Sequence, residues 1–415
     1  MTRTLSQWLE FQQTLHPQAI ALGLDRVAAV AARLGLGRPG RHVITVAGTN
    51  GKGSTVAFLE AIARAAGLRV GAYTSPHLRH YGERIRVDGV PASDAQLVAA
   101  FERIDSARDG IALTYFEFGT LAALLVFQEA GLDLALLEVG LGGRLDAVNL
   151  VDADVAVITT VDLDHQALLG DDREAIGFEK AGILRAGRPC VLAEKDPPSS
   201  VLRRAYALGA FAIRGQSDYL IEPLAQGWRW REPGYQVDLP NPAMEAPAQR
   251  ENAAGAIAAL RALDLDIPDA ALRAGVRNAA LPGRLQRLPG VPERVLDVAH
   301  NPQGARQLGL WLAANPRPTV AVFSALADKD LAGIVAPVAP HVLAWHLGPI
   351  TDAGARGQTA QQLARGLEGA LDPATVHTHA SLSEALAAAA VQAGSAGRVL
   401  VFGSFHTVAE ALATG

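Results

Sequence analysis

Short, nearly continuous apolar runs alternate with Ala- and Leu-rich segments of helical period along most of this chain. The runs His42–Ala47, Arg69–Tyr73, Leu132–Val139, Val155–Val161, Cys190–Ala193 and Phe211–Ile213 read as strands. Between them, Ser54–Ala66, Phe118–Glu129 and Ser200–Leu208 read as helices. In the first of these, Val56, Leu59, Ile62 and Ala66 form one 3.6-period face and Gly67 is a stop. Strands without an apolar/polar alternation are buried on both faces, as in a parallel sheet covered by helices. The pattern predicts an α/β fold.

The rhythm breaks between Ser217 and Pro247. There Trp228, Trp230 and Tyr235 alternate with polar residues among Gly and Pro, which predicts a β-hairpin, and Asn252–Leu263 returns to helix. A second α/β series begins at Arg294–Ala299 and continues through Val320–Phe323, Val342–Trp345 and Val399–Phe402. The Pro/Gly-rich stretch Leu288-Pro289-Gly290-Val291-Pro292 is read as a linker, giving domains 1–290 and 291–415. A length of 415 residues suits two or three domains at roughly 100–200 residues each. The expected architecture is two α/β domains in series.

Composition narrows the function classes. Charged residues make up 19% and hydrophobic ones 49%, which excludes wholesale disorder. No window approaches the roughly 18 apolar residues of a membrane span, and the N-terminal residues lack the apolar core of a secretory signal. The single cysteine, Cys190, leaves no intrachain disulfide and no cysteine-based zinc site. These features predict a soluble protein of a reducing compartment, the cytoplasm. The net charge is −5 and no Lys/Arg block stands out, so nucleic acid and membrane are not expected partners. A monomer is expected.

The strongest chemical signal is Gly48-Thr49-Asn50-Gly51-Lys52-Gly53-Ser54, directly after a strand and opening a helix. Glycines let successive backbone N–H groups face inward around phosphate oxygens. The helix N-terminus adds a favourable dipole, and a lysine reaches the distal phosphates. Gly53 separates Lys52 from Ser54, so the spacing departs from the usual G-x-x-x-x-G-K-[ST]; a Gly-rich turn with a solvated lysine is the plain alternative. Glu138 ends the run Leu132–Val139, while Asp162, Asp164 and His165 follow Val155–Val161. Both sets therefore fall at the strand edge where open α/β sheets bind ligands, and they are candidates for Mg²⁺, although a strand-end carboxylate or a lone histidine is often structural. The run Gly140-Leu141-Gly142-Gly143-Arg144 leaves the dinucleotide fingerprint incomplete.

Taken in order, these segments resemble the folylpolyglutamate synthase/dihydrofolate synthase family of the Mur ligase superfamily over nearly the whole chain. Gly48–Ser54, Thr74-Ser75-Pro76-His77-Leu78, Glu83-Arg84-Ile85-Arg86-Val87, Thr114–Thr120 and Leu137–Ala147 carry the resemblance in the first half. Leu163-Asp164-His165, Glu179-Lys180-Ala181-Gly182-Ile183, Leu281-Pro282-Gly283-Arg284, Asp297–Pro302, Asp328-Lys329-Asp330 and Gly403-Ser404-Phe405-His406 carry it further on.

The resemblance implies an ATP-dependent amide ligase of two domains, an N-terminal P-loop-type mononucleotide-binding ATPase domain followed by a C-terminal Rossmann-like α/β domain. It would add L-glutamate to dihydropteroate, and also to tetrahydrofolates, through an acyl phosphate. By the same resemblance Gly51, Lys52, Gly53 and Ser54 hold the ATP phosphates; Ser75, Glu138 and His165 are Mg²⁺ ligands; and Lys180 is carbamylated and joins the metal set. Lys52, His165 and Lys180 are the implied catalytic residues. Asn252, Arg284, Asp297 and His300 are implied to serve the nucleotide across an interdomain cleft, with Asn301, Ser404 and His406 nearby. Ala19, Ile20, Ala21, Thr114, Tyr115, Phe116, Glu117, Leu145, Asp146 and Ala147 match the pterin pocket, where Phe116 is placed to stack on a flat ring. Ala21 departs from some bifunctional relatives, which carry an acidic residue there.

Three alternatives stay open: folylpolyglutamate synthase activity alone, a Mur-type cell-wall ligase, and a nucleotide-dependent switch without ligase activity. The phosphate loop begins by Gly48, which leaves little room for the N-terminal domain of many cell-wall ligases.

Overall fold

The computed structural model describes residues 3–18, 20–351 and 353–414. Two units are present, one formed by residues up to Ala243 with Arg250–Ala280, the other by Met244–Gln249 with the residues from Leu281 on.

The first unit is organised by the strands Gly40–Ala47 (β1), Val70–Tyr73 (β2), Ile85–Val87 (β3), Val90–Pro91 (β4), Leu132–Glu138 (β5), Val155–Ile158 (β6), Pro189–Leu192 (β7) and Phe211–Arg214 (β8). They form one sheet in the order β4-β3-β2-β5-β1-β6-β7-β8. From β2 to β8 every neighbouring pair is parallel; β3 and β4 are added antiparallel at one edge. Val43, Ile44 and Val46 in β1 and Leu134, Leu136 and Leu137 in β5 are wholly buried, as their uninterrupted apolar sequence requires.

Its helices are Leu5–Leu15 (α1), Asp25–Arg33 (α2), Lys52–Ala65 (α3), Asp94–Arg108 (α4), Tyr115–Ala130 (α5), Gln166–Leu169 (α6), Arg173–Lys180 (α7), Ser199–Leu208 (α8), Gln249–Arg261 (α9) and Asp269–Asn278 (α10). Several starts are written in the sequence. Thr4, Ser93 and Thr114 each cap a helix whose third residue, Gln7, Gln96 or Glu117, bonds back to the cap.

The hairpin expected within 217–247 is a three-stranded antiparallel sheet of Leu220–Pro223 (β9), Trp228–Glu232 (β10) and Tyr235–Leu239 (β11), in the order β11-β10-β9. Trp230 Nε1 donates to the Ala254 carbonyl of α9 at 3.2 Å, and Tyr219 stacks on the same indole at 5.6 Å. The extra strand is held to β10 by the Arg231–Glu222 pair, a cross-strand contact without a local signature.

The second unit has Gln286–Leu288 (β12), Glu293–Leu296 (β13), Thr319–Phe323 (β14), Ala344–Leu347 (β15), Val376–Thr378 (β16) and Arg398–Phe402 (β17), in the order β12-β13-β17-β14-β15-β16. All pairs are parallel except β12 with β13. Pro302–Ala314 (α11), Leu331–Val335 (α12), Ala360–Gly366 (α13), Leu382–Ala393 (α14) and Phe405–Ala413 (α15) are its helices. Trp311, Phe323, Trp345, Leu400 and Phe402 lie in its core.

One expectation changes here. Leu288 pairs with Arg294 across β12 and β13, so Pro289–Pro292 is a hairpin connection rather than a linker. The second unit takes in Met244–Gln249 and the chain from Leu281 on, ten residues before the expected boundary at 291. Gly and Pro punctuate both linkers and turns, and the sequence alone does not separate the two. No described helix is long and apolar enough to cross a membrane.

Candidate active site

Parallel pairing brings the C-terminal ends of β2, β5, β1, β6 and β7 to one edge of the first sheet. Tyr73 lies opposite Leu137, Val46 opposite both Glu138 and Val157, and Ile158 opposite Leu192. The segments that follow these ends carry Ser75, Glu138, Gly48–Ser54, Asp162–His165 and Glu194. This is the edge at which open α/β sheets place ligands.

The loop after β1 turns at Gly48 (φ +154°) and Gly51 (φ +87°). A Cβ at Gly48 would lie 1.8 Å from Thr159 Oγ1, and one at Gly51 2.5 Å from Asn252 Oδ1, so both positions need glycine. α3 starts at Lys52, two residues earlier than its sequence pattern indicates, and places Lys52, Gly53 and the buried Ser54 in its first turn. The loop is braced from the two residues that follow β6. Thr49 N donates to the Thr160 carbonyl at 2.7 Å, Asn50 N to Thr160 Oγ1 at 3.2 Å, and Thr159 Oγ1 to the Asn50 carbonyl at 2.6 Å. Lys52 Nζ donates to the Gly48 and Thr49 carbonyls at 2.9 and 3.2 Å. The result is a fixed concavity of N–H groups at a helix N-terminus with a cation over its mouth, a suitable cradle for phosphate.

Glu138 is the last residue of β5 and is buried; its Oε2 accepts from Ser75 N at 3.1 Å. His165 caps the short helix α6 in the left-handed region, at φ +52°, and its N–H donates to Asp164 Oδ1 at 2.9 Å. Lys180 ends α7 and is only 3% exposed. Burial, and then the neighbouring charge of Lys52, bring its amine down to about 7, against the pull of Asp164, Glu194 and Asp146. Among the described residues no three His, Cys, Asp or Glu side chains form a group able to hold a metal ion by themselves. The donor set fits Mg²⁺ nonetheless. That ion usually takes one or two carboxylates and fills its remaining positions with water and substrate phosphate.

Two of the pterin-pocket candidates, Ala21 and Glu117, meet at Arg26, a residue the sequence reading missed. Its Nη2 donates to the Ala21 carbonyl at 2.8 Å and to Glu117 Oε1 at 3.0 Å, and Gly23 N donates to the Leu145 carbonyl at 3.2 Å. Ile20 is exposed, whereas Ala19 lies outside the described residues. Thr114 and Glu117 are buried in their capping box, so Glu117 is shared between the helix cap and Arg26. Phe116 packs on the Tyr73 ring at 5.8 Å, and Tyr115 stands edge-on to Tyr81 at 5.7 Å. Asp146 is buried beside the buried Ala147, accepting from Leu141 N at 2.8 Å and Val148 N at 3.0 Å; burial raises its carboxyl to about 7 despite these bonds and the Lys52 charge.

Asn252 is buried on α9 with its amide oxygen toward Gly51. In the second unit, Asp297 follows β13 and accepts from Leu285 N at 2.9 Å and Ala299 N at 2.8 Å; burial raises its carboxyl, opposed first by Arg284. The Arg284 guanidinium lies 5.4 Å from the Phe405 ring, and the His300 ring 5.9 Å from it. Asn301 and Ser404 are the N-caps of α11 and α15, which gives both a structural role, and His406 sits in the first turn of α15. Beyond Arg26, the sequence reading also passed over Thr159, Thr160, Arg173 and Glu194. Glu194 follows the run Cys190–Ala193, so the strand-end rule that selected Glu138 applies to it too. Arg173 has no comparable signal.

Residues 46–207 match the Mur ligase middle domain, and residues 283–405 match the Mur ligase glutamate ligase domain. With the phosphate cradle described above, these place the chain among the ATP-dependent ligases. The dihydrofolate synthase/folylpolyglutamate synthase of Escherichia coli (strain K12) is 45% identical over 411 residues, covering 98% of this chain and 94% of that protein. The structure of E. coli FolC in complex with DHPP and ADP superposes with a TM-score of 0.93 at 44% identity, covering 99% of this chain and 97% of that one. A bifunctional folylpolyglutamate synthase/dihydrofolate synthase with Mn, AMPPNP and L-glutamate bound gives 0.91 at 44% identity, covering 99% and 98%. The chain belongs to the dihydrofolate synthase/folylpolyglutamate synthase family.

Proposed function

We propose that this protein joins L-glutamate to dihydropteroate and to tetrahydrofolates at the expense of ATP, as a cytoplasmic monomer. The observation that carries this reading is the convergence, at one sheet edge, of the Gly48–Ser54 cradle, the Ser75–Glu138 contact and a buried Lys180 whose amine is brought to about 7. It is supported by the E. coli complex with DHPP and ADP and by the complex with Mn, AMPPNP and L-glutamate.

A carboxylate is a poor electrophile, so the acceptor must first be activated. Its oxygen attacks the γ-phosphorus of ATP, the bond to the bridging oxygen breaks, and ADP leaves. The free-base amine of glutamate then attacks the acyl carbon. The C–O bond to phosphate breaks, inorganic phosphate departs, and the amine's surplus proton passes to solvent. Little covalent work is asked of side chains; positioning and charge neutralisation carry the reaction.

In this scheme the N–H groups of Gly51–Ser54 hold the phosphates, and Lys52 swings from its loop carbonyls to the distal oxygens. Asn252 lies beside this loop in the first unit, and the resemblance to the family assigns Arg284, Asp297 and His300 of the second unit to the nucleotide as well. Ser75, Glu138 and His165, with Lys180 as its carbamate, would hold Mg²⁺, which supplies charge neutralisation at the phosphate oxygens. An amine near 7 is substantially free base at neutral pH, as attack on CO₂ requires: the C–N bond forms as one C=O π bond of CO₂ opens onto oxygen, the nitrogen gives up one proton to solvent, and a neutral amine becomes an anionic carbamate. In this reading Ile20, Ala21, Thr114–Glu117 and Leu145–Ala147 line the acceptor's pterin end, and a carboxylate or amide among them pairs with the amino edge of the ring.

The test is ADP release with each substrate omitted in turn, using dihydropteroate and tetrahydrofolate separately as acceptors. Release should require glutamate and an acceptor together, with both acceptors active. Release with tetrahydrofolate alone would restrict the enzyme to the second activity, as the Ala21 departure would favour. Hydrolysis indifferent to both substrates would overturn the ligase reading in favour of a switch.

A further inference from the structure

β6 ends its ladder at Ile158, and the chain then runs through the buried Val161 into Asp162–His165. Beyond the ladder the backbone groups of Val161 would be left unpaired, which is costly in a buried position. Two side chains take them both. Val161 N donates to Glu194 Oε1 at 3.1 Å, and Arg173 Nε donates to the Val161 carbonyl at 2.8 Å. Arg173 Nη2 closes the ring on Glu194 Oε2 at 3.1 Å and also reaches the Asp196 carbonyl at 2.9 Å. The planar guanidinium is suited to this, since one fork serves a carboxylate and two carbonyls in fixed directions.

The position of the clamp gives it a role beyond local packing. Arg173 is the first residue of α7 and Lys180 the last, seven residues on; that is about 10 Å of helix and close to two turns, so both leave the same face. One end of this strut is bolted to the loop that leads to His165 and to the end of β7, and the other end carries the Lys180 amine. We propose that Arg173 and Glu194 are positioning residues that hold the His165 loop and Lys180 in fixed register, so that both address one divalent cation. This rests on the reading of His165 and Lys180 given above.

Glu174, the next residue on α7, provides an internal control. It accepts from Ser199 N and Ser200 N at 2.8 and 2.6 Å and ties the same helix to α8 without touching the loop. Mg²⁺ titrations of ADP release, and Mn²⁺ binding followed by electron paramagnetic resonance with a non-hydrolysable ATP analogue, are compared across variants, with Tm recorded for each. Arg173→Ala should raise the half-saturating Mg²⁺ and weaken Mn²⁺ binding about 10–100-fold, the range seen when a ligand's supporting partner is lost, with a smaller change in KM for ATP. Glu194→Gln should move both readouts the same way, and covers the case in which Arg173→Ala fails to fold. Added ethylguanidinium should restore part of the Arg173→Ala loss. Glu174→Gln should lower Tm while leaving the metal requirement unchanged. His165→Ala separates the two levels of inference. A raised metal requirement in His165→Ala, with wild-type values in Arg173→Ala and Glu194→Gln, would overturn the positioning role alone. An unchanged requirement in His165→Ala would overturn the site reading and the positioning role with it.

Discussion

The Lys180 amine is buried within electrostatic reach of Lys52, and burial together with that like charge holds it near 7 rather than at its ordinary 10.5. Between these two values the unfolded chain binds more protons at this position than the folded one. Stability from this group therefore rises as pH increases from about 7 toward 10.5, and its full cost is felt below 7. Replacing the amine by an uncharged side chain of similar length removes the cost. Lys180→Met should be more stable than wild type toward urea at about pH 6, with the advantage shrinking toward pH 10. A difference that stays constant across that range would mean that the Lys180 amine is not depressed.

Lys52 Nζ donates to the Gly48 and Thr49 carbonyls of its own loop, so the fold should tolerate its loss. In the proposed scheme its charge serves the distal phosphates. Lys52→Ala should reduce turnover by about 10²–10³, or roughly 3–4 kcal/mol in the barrier, with an unchanged circular dichroism spectrum. Wild-type turnover in a folded variant would remove Lys52 from the phosphate site.

Much of this was legible in the sequence because it is local. The strand–loop–helix order at Gly48–Ser54 and the apolar runs of the parallel sheet are local signals, and the sheet edge then follows from topology. What was not legible depends on distant partners. Arg26 acts on Glu117, 91 residues away in sequence, and β9 acquires its strand character from pairing with β10. The bracing of Asn50 by Thr159 and Thr160 belongs to the same class. Pro289–Pro292 shows the converse error: a turn and a linker share one composition, and only the pairing of Leu288 with Arg294 separates them.

Arg26 offers a test of the proposed pterin end. It bridges the Ala21 carbonyl and the buried Glu117 carboxylate, and its removal leaves Glu117 with only its capping bonds. Arg26→Ala should lower stability by about 1.5–3 kcal/mol, the range for hydrogen bonds to charged groups. It should also raise KM for the pteroate acceptor several-fold more than KM for ATP. Equal changes in the two constants would give Arg26 a purely structural role.

The chemistry assigned to Lys180 can be separated from its packing. If the residue works as a carbamate, the site needs an anion bearing oxygens where the lysine backbone places a cation. Lys180→Ala should therefore lose most activity and leave a small space among Asp164, Glu194, Asp146 and Lys52, the groups whose charges reach the amine. Acetate or propionate, small enough to enter, should restore part of the rate in a saturable manner. Lys180→Arg should not be rescued, because a guanidinium stays protonated, cannot add CO₂ and repels a divalent cation. Raising bicarbonate should increase wild-type activity after CO₂ depletion and leave Lys180→Ala unaffected. Full activity in Lys180→Arg, or a wild-type rate indifferent to CO₂ depletion, would show that the lysine acts as an amine and would exclude the carbamate.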